Sequence, residues 1–459
     1  MNKLLSPGKL LGVVALSVGI TSLAMAQTPR EFSLTEAIQF ATQQNINVKN
    51  SQLDAVSAEA RIKEVKSVSL PQVSVSGSLL DNLAIQTAFL PGKFFDPNAP
   101  DDAPPIPVRF GVTYAGSLQG AVNQLLFDAS YRIGLKAADV YRELAQKNIT
   151  ASKISVAEQV AKAYYGVLVS QERMKLLDYN IGRLDTLLRE TRALNQQGFV
   201  EKIDIDRLEV QLNNLQTEKQ KVQNLVGLSY YLLKFQMGLN VNDPILLTDR
   251  IAQINVEEME REINNSATGF DYANRIEFDQ LQSQLKLAEL DIQNTQKSYF
   301  PRLSAFFNYG YNNGRNKLSE MFTTKWFALS SVGLNLSVPV FDGFARKYRG
   351  QQQRITLQKA QNSGDLLKNS IDLQIRQSQI TLQNNLQTLR TQQRNLDLAN
   401  EILRVTRIKY KEGVGSNIEV LNAETSSREA QTNYYAALLD FMLAKVDLDK
   451  ATGKLFAGN

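Results

Sequence analysis

The chain of 459 residues contains no cysteine and no histidine. Disulfides, thiol chemistry, imidazole acid–base catalysis and the usual ligand sets of zinc, iron–sulfur clusters and haem go with them. No glycine-rich phosphate loop and no nucleophile–base set takes their place. The sequence therefore implies no cofactor, no metal and no enzyme. Charge of one sign is missing too: 51 basic residues are interspersed with 46 acidic ones, a formal net charge of +5. That balance offers no footprint for nucleic acid. The acidic pair Asp101–Asp102 and the "DID" at 204–206 read as a solvated loop and a helix start rather than as cation sites. Beyond the N-terminus there is no run of the roughly 20 apolar residues that a spanning helix needs.

The N-terminus itself, "MNKLLSPGKLLGVVALSVGITSLAMAQ", combines Lys3 and Lys9 with a short apolar run and Ala24-Met25-Ala26. This is the pattern of a secretory leader, residues 1–26, cut after Ala26. Position 27 is Gln rather than Cys, so the expected mature N-terminus carries no lipid.

Three pairs of stretches recur in the same order. "SLPQVSVSGSLL" (69–80) matches "YFPRLSAFFNYG" (299–310), "NQLLFDASYRIG" (123–134) matches "SVPVFDGFARKY" (337–348), and "ALNQQGFVEKIDIDRLE" (193–209) matches "IKYKEGVGSNIEVLNAE" (408–424). The spacing differs only where the proline- and aspartate-rich "FLPGKFFDPNAPDDAPPIP" (89–107) reads as a loop inserted in one copy. The expected organisation is a first repeat over 27–237, a linker over 238–270 and a second repeat over 271–459. The first repeat comprises a helix, a strand hairpin 71–127, a long helix 129–195 and a return helix 203–237. The second comprises a helix, a hairpin 301–341, a long helix 343–411 and a return helix 417–453. Ser33 and Glu36 supply a capping box for the first helix.

Heptads run through the helices. Leu382, Leu389, Leu396, Leu403 and Tyr410 are seven apart, as are Ala423, Ala430, Ala437, Ala444 and Ala451, and Leu208, Leu215 and Val222. They predict helices packed nearly parallel with left-handed coiling. Their other faces carry Gln, Asn, Ser and charge and cannot build a large globular core. Each long helix of about 67 residues would span roughly 100 Å at 1.5 Å per residue, which makes a rod or a tube.

The strand stretches alternate. Val73, Val75 and Leu79 oppose Gln72, Ser74, Ser76 and Ser78. Leu303, Ala305, Phe307, Tyr309 and Tyr311 oppose Arg302, Ser304, Asn308 and Gly310, with Phe306 the exception. Val332, Leu334, Leu336 and Val338 oppose Ser331, Gly333, Asn335 and Ser337, and Phe110, Val112, Tyr114 and Leu118 give a further run. About ten residues suit a strand tilted across a bilayer, and Trp326 and Phe322 flank the last strand where an aromatic girdle would sit. A soluble sheet with one wet face gives the same alternation. If the strands do span a membrane, four cannot close alone. Three chains would make a twelve-stranded barrel with room for a lumen.

In the order and repetition of "FSLTEAIQFATQQN", "LPQVSVSGS" with its echo "FPRLSAFFNYG", "SVPVFDG" and "YKEGVGSNIEVLNAE", the chain resembles the TolC-type outer-membrane efflux family. The resemblance implies a mainly α fold with a membrane β-barrel, in which four transmembrane strands per chain and a long coiled-coil helical tunnel assemble as a homotrimer. It places the protein in the outer membrane of a Gram-negative bacterium, among lipid, reaching into the periplasm. It also implies docking to a periplasmic adaptor (membrane fusion) protein and to an inner-membrane transporter of the RND or ABC class.

Carried over by residue, Gly198, Phe199 and Val200, with Gly413, Val414 and Gly415, become the periplasmic tip turns that meet the adaptor. Glu419 becomes a ring of carboxylates at the pore constriction, Asp204 its counterpart and Tyr410 a hydrogen-bonding latch. The chain departs from some members at Asn422, where a second acidic ring can lie, and at Gly415, where an arginine can stand. Read on their own, Asp204 and Glu419 sit just inside helix N-termini and serve equally well as favourable first-turn charges. The function implied is a passive, tip-gated exit duct of a tripartite efflux or type I secretion system. The alternative is a periplasmic coiled-coil scaffold without a pore.

Overall fold

The computed structural model describes residues 29–98, 100–251 and 270–455. The expected leader lies outside them, as does most of the expected linker. In chain order the elements are β1 (Arg30–Phe32), α1 (Leu34–Gln44), α2 (Ile46–Ser67), β2 (Gln72–Asp81), β3 (Thr87–Leu90), β4 (Ile106–Arg109), β5 (Tyr114–Phe127), α3 (Ala129–Gln196), α4 (Lys202–Met237), β6 (Ile245–Leu247), α5 (Ile276–Lys297), β7 (Arg302–Arg315), α6 (Glu320–Thr323), β8 (Phe327–Ser337), α7 (Ala345–Lys411) and α8 (Asn417–Ala451).

Two helices dominate, α3 with 68 residues and α7 with 67, each about 100 Å long. Asp128 starts α3 by accepting the backbone N–H of Ser130 at 2.8 Å and of Tyr131 at 3.3 Å. Along its first half α3 packs against α2 and α5, and along its second half against α4, while α7 packs first on α5 and then on α8. The heptad residues make these seams: Leu208, Leu215 and Val222 are buried with Leu184, Leu187 and Leu188, and Leu382 and Leu389 with Ala437, Phe441 and Leu448.

The short helices meet end to end beside the long ones. Gly238 ends α4 at φ +75°, and a Cβ there would lie 2.9 Å from the backbone of Asn45, which precedes α2. Asn45 Nδ2 in turn donates to the Gln236 carbonyl at 2.8 Å. Gly453 follows α8 at φ +76°, where a Cβ would run into the Asn274 carbonyl oxygen beside the start of α5, and Arg275 donates to the Ala451 carbonyl at 2.8 Å. Both joints need glycine, for the left-handed backbone and for the close approach.

A compact girdle surrounds the first joint. Parallel β1 and β6 pair there, over a core of Phe32, Ala41, Val160, Tyr164, Leu233 and Met237. Burial and the Asp249 carboxylate hold the Tyr164 hydroxyl well above the usual tyrosine pKa. Ion pairs tie α3 to α8 at this level: Lys162 bridges Glu158 (2.8 Å) and Asp447 (2.5 Å), and Lys450 reaches Glu158 at 2.6 Å. Burial opposes ionisation of Glu158, but the two lysines outweigh it and hold its carboxyl below the usual value.

Four of the remaining strands form one antiparallel sheet in the order β2-β5-β7-β8. The run expected from Phe110 differs: Gly111, at φ +141°, separates β4 from β5, which begins at Tyr114 and continues to Phe127. Phe110 and Val112 therefore precede the strand, and β4 pairs with β3 in a separate two-stranded ribbon within the inserted loop. The first helical segment is also broken, at Asn45, whose side chain caps α2.

Candidate functional site

The register sorts the sheet into two faces. On one, Val73, Val75, Leu79, Leu118, Val122, Phe307, Tyr309, Tyr311, Val332, Leu334 and Leu336 align across all four strands. Most of these side chains are exposed in the single chain; Val332, mid-strand, is 80% exposed. The opposite face carries Gln72, Ser74, Ser76 and Ser78 beside Ser117, Gln119 and Asn123, then Ser304, Asn308 and Asn312 beside Ser331, Asn335 and Ser337. Phe306, the exception to the alternation, lies on this polar face over Gly333, where a Cβ would come within 2.7 Å of its ring. The outer edges of β2 and β8 have no strand partner among the described residues.

Trp326 packs over Gly116 on the apolar face, at the sheet end away from the long helices, and donates Nε1–H to the Met321 carbonyl at 3.1 Å. Phe322 beside it is exposed. A second aromatic group, which the alternation of the strands did not single out, lies at the helical end. Tyr299, Phe300, Phe341 and Phe344 are exposed there, with Arg346 over Tyr299 (5.2 Å), Lys297 over Phe300 (4.8 Å) and Lys347 over Phe344 (5.6 Å). Their signal was the run of aromatics and basic residues flanking each Pro-containing strand end.

At the other end of the molecule the two glycine turns are built alike. Gly198 has φ +80° and Gly413 φ +75°. Phe199 N–H donates to the Leu194 carbonyl at 3.0 Å, and Val414 N–H to the Lys409 carbonyl at 3.0 Å. This is the 6→1 bond that closes a helix C-terminus around a left-handed glycine. Phe199 and Val414 then stand 73% and 77% exposed at the tips, with Val200 behind, its carbonyl accepting from Asn195 Nδ2 at 2.7 Å. At Gly415 a Cβ would lie 3.0–3.2 Å from Lys409 and Tyr410, so a side chain there would press on the end of α7.

The tips lie side by side, since Asn417 Nδ2 donates to the Asp204 carbonyl at 3.3 Å. Ser416 caps α8 by accepting Glu419 N–H at 3.3 Å. The Glu419 side chain is exposed and has no hydrogen bond or ion pair among the described residues, and Asn422 is exposed one turn further on. Asp204 faces Arg207 at 3.5 Å within its own helix. Tyr410 packs its ring into the cluster of Leu208 and Val420, and its hydroxyl is buried without a partner. No Tyr410 latch is therefore made among the described residues of the single chain.

Above the tips lies a tie that the sequence did not single out. Arg183 of α3 and Glu424 of α8 meet at 2.5 Å, only 11% and 9% exposed. Asn180 donates to Gln431 at 2.9 Å, and Ser427 donates to Asn400 of α7 at 2.8 Å. Three helices are thus joined by one polar network, buried between α3 and α8 and reaching the surface at Asn400 of α7.

Among the described residues no group of acidic side chains could hold a metal, and no helix is long and apolar enough to cross a membrane.

Comparison with known proteins places this geometry. The family model "Outer membrane efflux protein" matches residues 272–454. The outer membrane protein TolC of Vibrio cholerae serotype O1 is 21% identical over 337 residues, 72% of this chain and 75% of that protein. The alkaline protease secretion protein AprF of Pseudomonas aeruginosa is 22% identical over 357 residues, 74% and 71% of the two chains. The crystal structure of the outer membrane protein VceC from Vibrio cholerae superposes with a TM-score of 0.66 over 92% of this chain and 96% of that one, at 14% identity. That last likeness is one of fold.

Proposed function

Because the chain belongs to the TolC-type outer-membrane efflux family, whose proteins are channels and not enzymes, we propose that it is the exit duct of a tripartite efflux or type I secretion system. Three copies assemble through their open β2 and β8 edges into a twelve-stranded barrel. An open edge is untenable in lipid, and twelve strands leave an aqueous lumen. The observation that carries the reading is a sheet with one exposed apolar face, one polar face and two unpaired edges, continuing into helices of about 100 Å. The apolar face meets lipid, with Trp326 and Phe322 at one interface and Tyr299, Phe300, Phe341 and Phe344 at the other. The helices continue the lumen through the periplasm as two structural repeats.

The turns at Gly198–Val200 and Gly413–Gly415 form the periplasmic end, where the exposed Phe199 and Val414 meet an adaptor protein that links the duct to an RND or ABC transporter. The duct is passive, and the transporter supplies the energy. Purified in detergent, the protein is expected to run as a trimer that dissociates on heating. A monomer that stays in water without detergent would instead make it a periplasmic scaffold.

Glu419 lines the constriction in this reading, because Ser416 supplies the helix cap and leaves the carboxylate free. Three such carboxylates attract cations. Glu419→Gln is expected to move the reversal potential of bilayer-inserted channels toward lower cation selectivity. An unchanged reversal potential would take Glu419 out of the constriction.

A further inference from the structure

Every side chain on the polar face of the sheet is uncharged except one. Register places Arg302 on that face, opposite Ser337 and two residues before Ser304, at the helical end of the sheet. It shares a concavity with Gln72, Asn123, Ser304, Asn335 and Ser337. The charged residues at the far ends of the strands, Asp81 and Arg315, align with Tyr114 and so belong to the apolar face.

The nearest carboxylate, Asp128, pairs with Arg302 only at the outer limit of ion-pair distance. Asp128 Oδ2 is 3.8 Å from its Nε, while Asp128 Oδ1 is engaged in starting α3, accepting from Ser130 N–H, Ser130 Oγ–H and Tyr131 N–H. The Arg302 side chain keeps 61% of its surface exposed and that of Asp128 only 20%. A guanidinium stays charged at any physiological pH and presents a planar fork of donors to carboxylate or phosphate oxygens.

We infer that Arg302 is the charge-selecting residue of the barrel: at the passage from tunnel to barrel it favours anionic permeants, those bearing carboxylate or phosphate, over cationic ones. The inference rests on the polar face being the lumen. Three copies then ring the base of a barrel whose wall is otherwise neutral, and clefts with one sign of charge reach potentials of one to several kT.

The absence of cysteine allows a local test. In Ser304→Cys, the rates of modification by a negatively and a positively charged methanethiosulfonate report the potential beside Arg302. With Arg302 in place the anionic reagent is expected to be favoured. In an Arg302→Gln background the ratio of the two rates should fall about tenfold, as a potential near one kT acting oppositely on two unit charges requires. Arg302→Lys, which keeps the charge, should hold the ratio near its original value, and a heat-dissociable trimer certifies that each variant is assembled.

Ser76→Cys and Val75→Cys test the premise separately, since only the former is expected to react in intact outer membranes. Unreactive Ser76→Cys would overturn the lumen assignment and the inference with it. Reactive Ser76→Cys with an unchanged ratio at Ser304→Cys would overturn the role of Arg302 alone.

Discussion

Val332→Arg is expected to remove the protein from the outer membrane, whereas Ser331→Arg, one residue earlier on the same strand, is expected to leave it there. Val332 is mid-strand in β8, opposite Phe307, and 80% exposed. Ser331 opposes Asn308 and accepts its side-chain N–H at 3.3 Å on the other face. In the barrel, the first position faces lipid near the bilayer midplane, where an arginine costs about 2–4 kcal/mol. Three copies would then cost on the order of 10 kcal/mol, comparable with the whole stability of a domain. The second position faces water. The pair separates the two readings by sign: on a soluble sheet, an arginine replacing an exposed valine would be neutral or would aid solubility. The measurement is the amount of heat-dissociable trimer in outer-membrane fractions. Near-normal trimer from Val332→Arg would mean that the apolar face does not meet lipid.

Much of this architecture is legible in the residues because it repeats with short periods. Alternation of period two placed Val73, Val75, Phe307 and Val332 on one face. Spacings of seven placed Leu208, Leu382 and Ala437 in buried seams, and Gly198 and Gly413 announced the turns through the left-handed backbone that each adopts. What escaped has no such local pattern. Gly238 and Gly453 sit in corresponding places of the two copies, but the Asn45 and Asn274 against which they close are distant in sequence. The run from Phe110 looked like a strand because alternation does not say where a glycine will turn the chain, and Gly111 does so three residues before β5 begins. Arg302 was visible only as a polar member of an alternating strand; that it is the lone charge on its face requires the register of all four strands. At the tip the sequence left Glu419 between cap and pore. Ser416 caps α8 with Glu419 still in its first turn, and the buried Tyr410 hydroxyl has no partner among the described residues.

Arg183 and Glu424 were equally inconspicuous, one arginine and one glutamate among 51 basic and 46 acidic residues, yet they carry the second large effect. Glu424→Gln is expected to destabilise the fold by about 3 kcal/mol per chain, the usual consequence of leaving one charge of a buried pair without its partner. Arg183 is poorly placed to absorb that loss. Its Nε is already buried without a partner, and its other hydrogen bond reaches the neutral Asn180 at 3.0 Å. The exposed pair Arg404–Glu401, with side chains 60% and 57% exposed, provides the contrast, since Glu401→Gln should cost less than about 1 kcal/mol. Replacing both partners with apolar residues, Arg183→Met with Glu424→Leu, should recover most of the stability lost in the single variant, because no unpaired charge then remains buried. The midpoint of trimer dissociation on heating reads all four proteins. Single and double variants that lose stability equally would locate the effect in packing rather than in charge. A Glu424→Gln protein as stable as its parent would mean that water reaches the pair and that α3 and α8 are not held together by it above the tips.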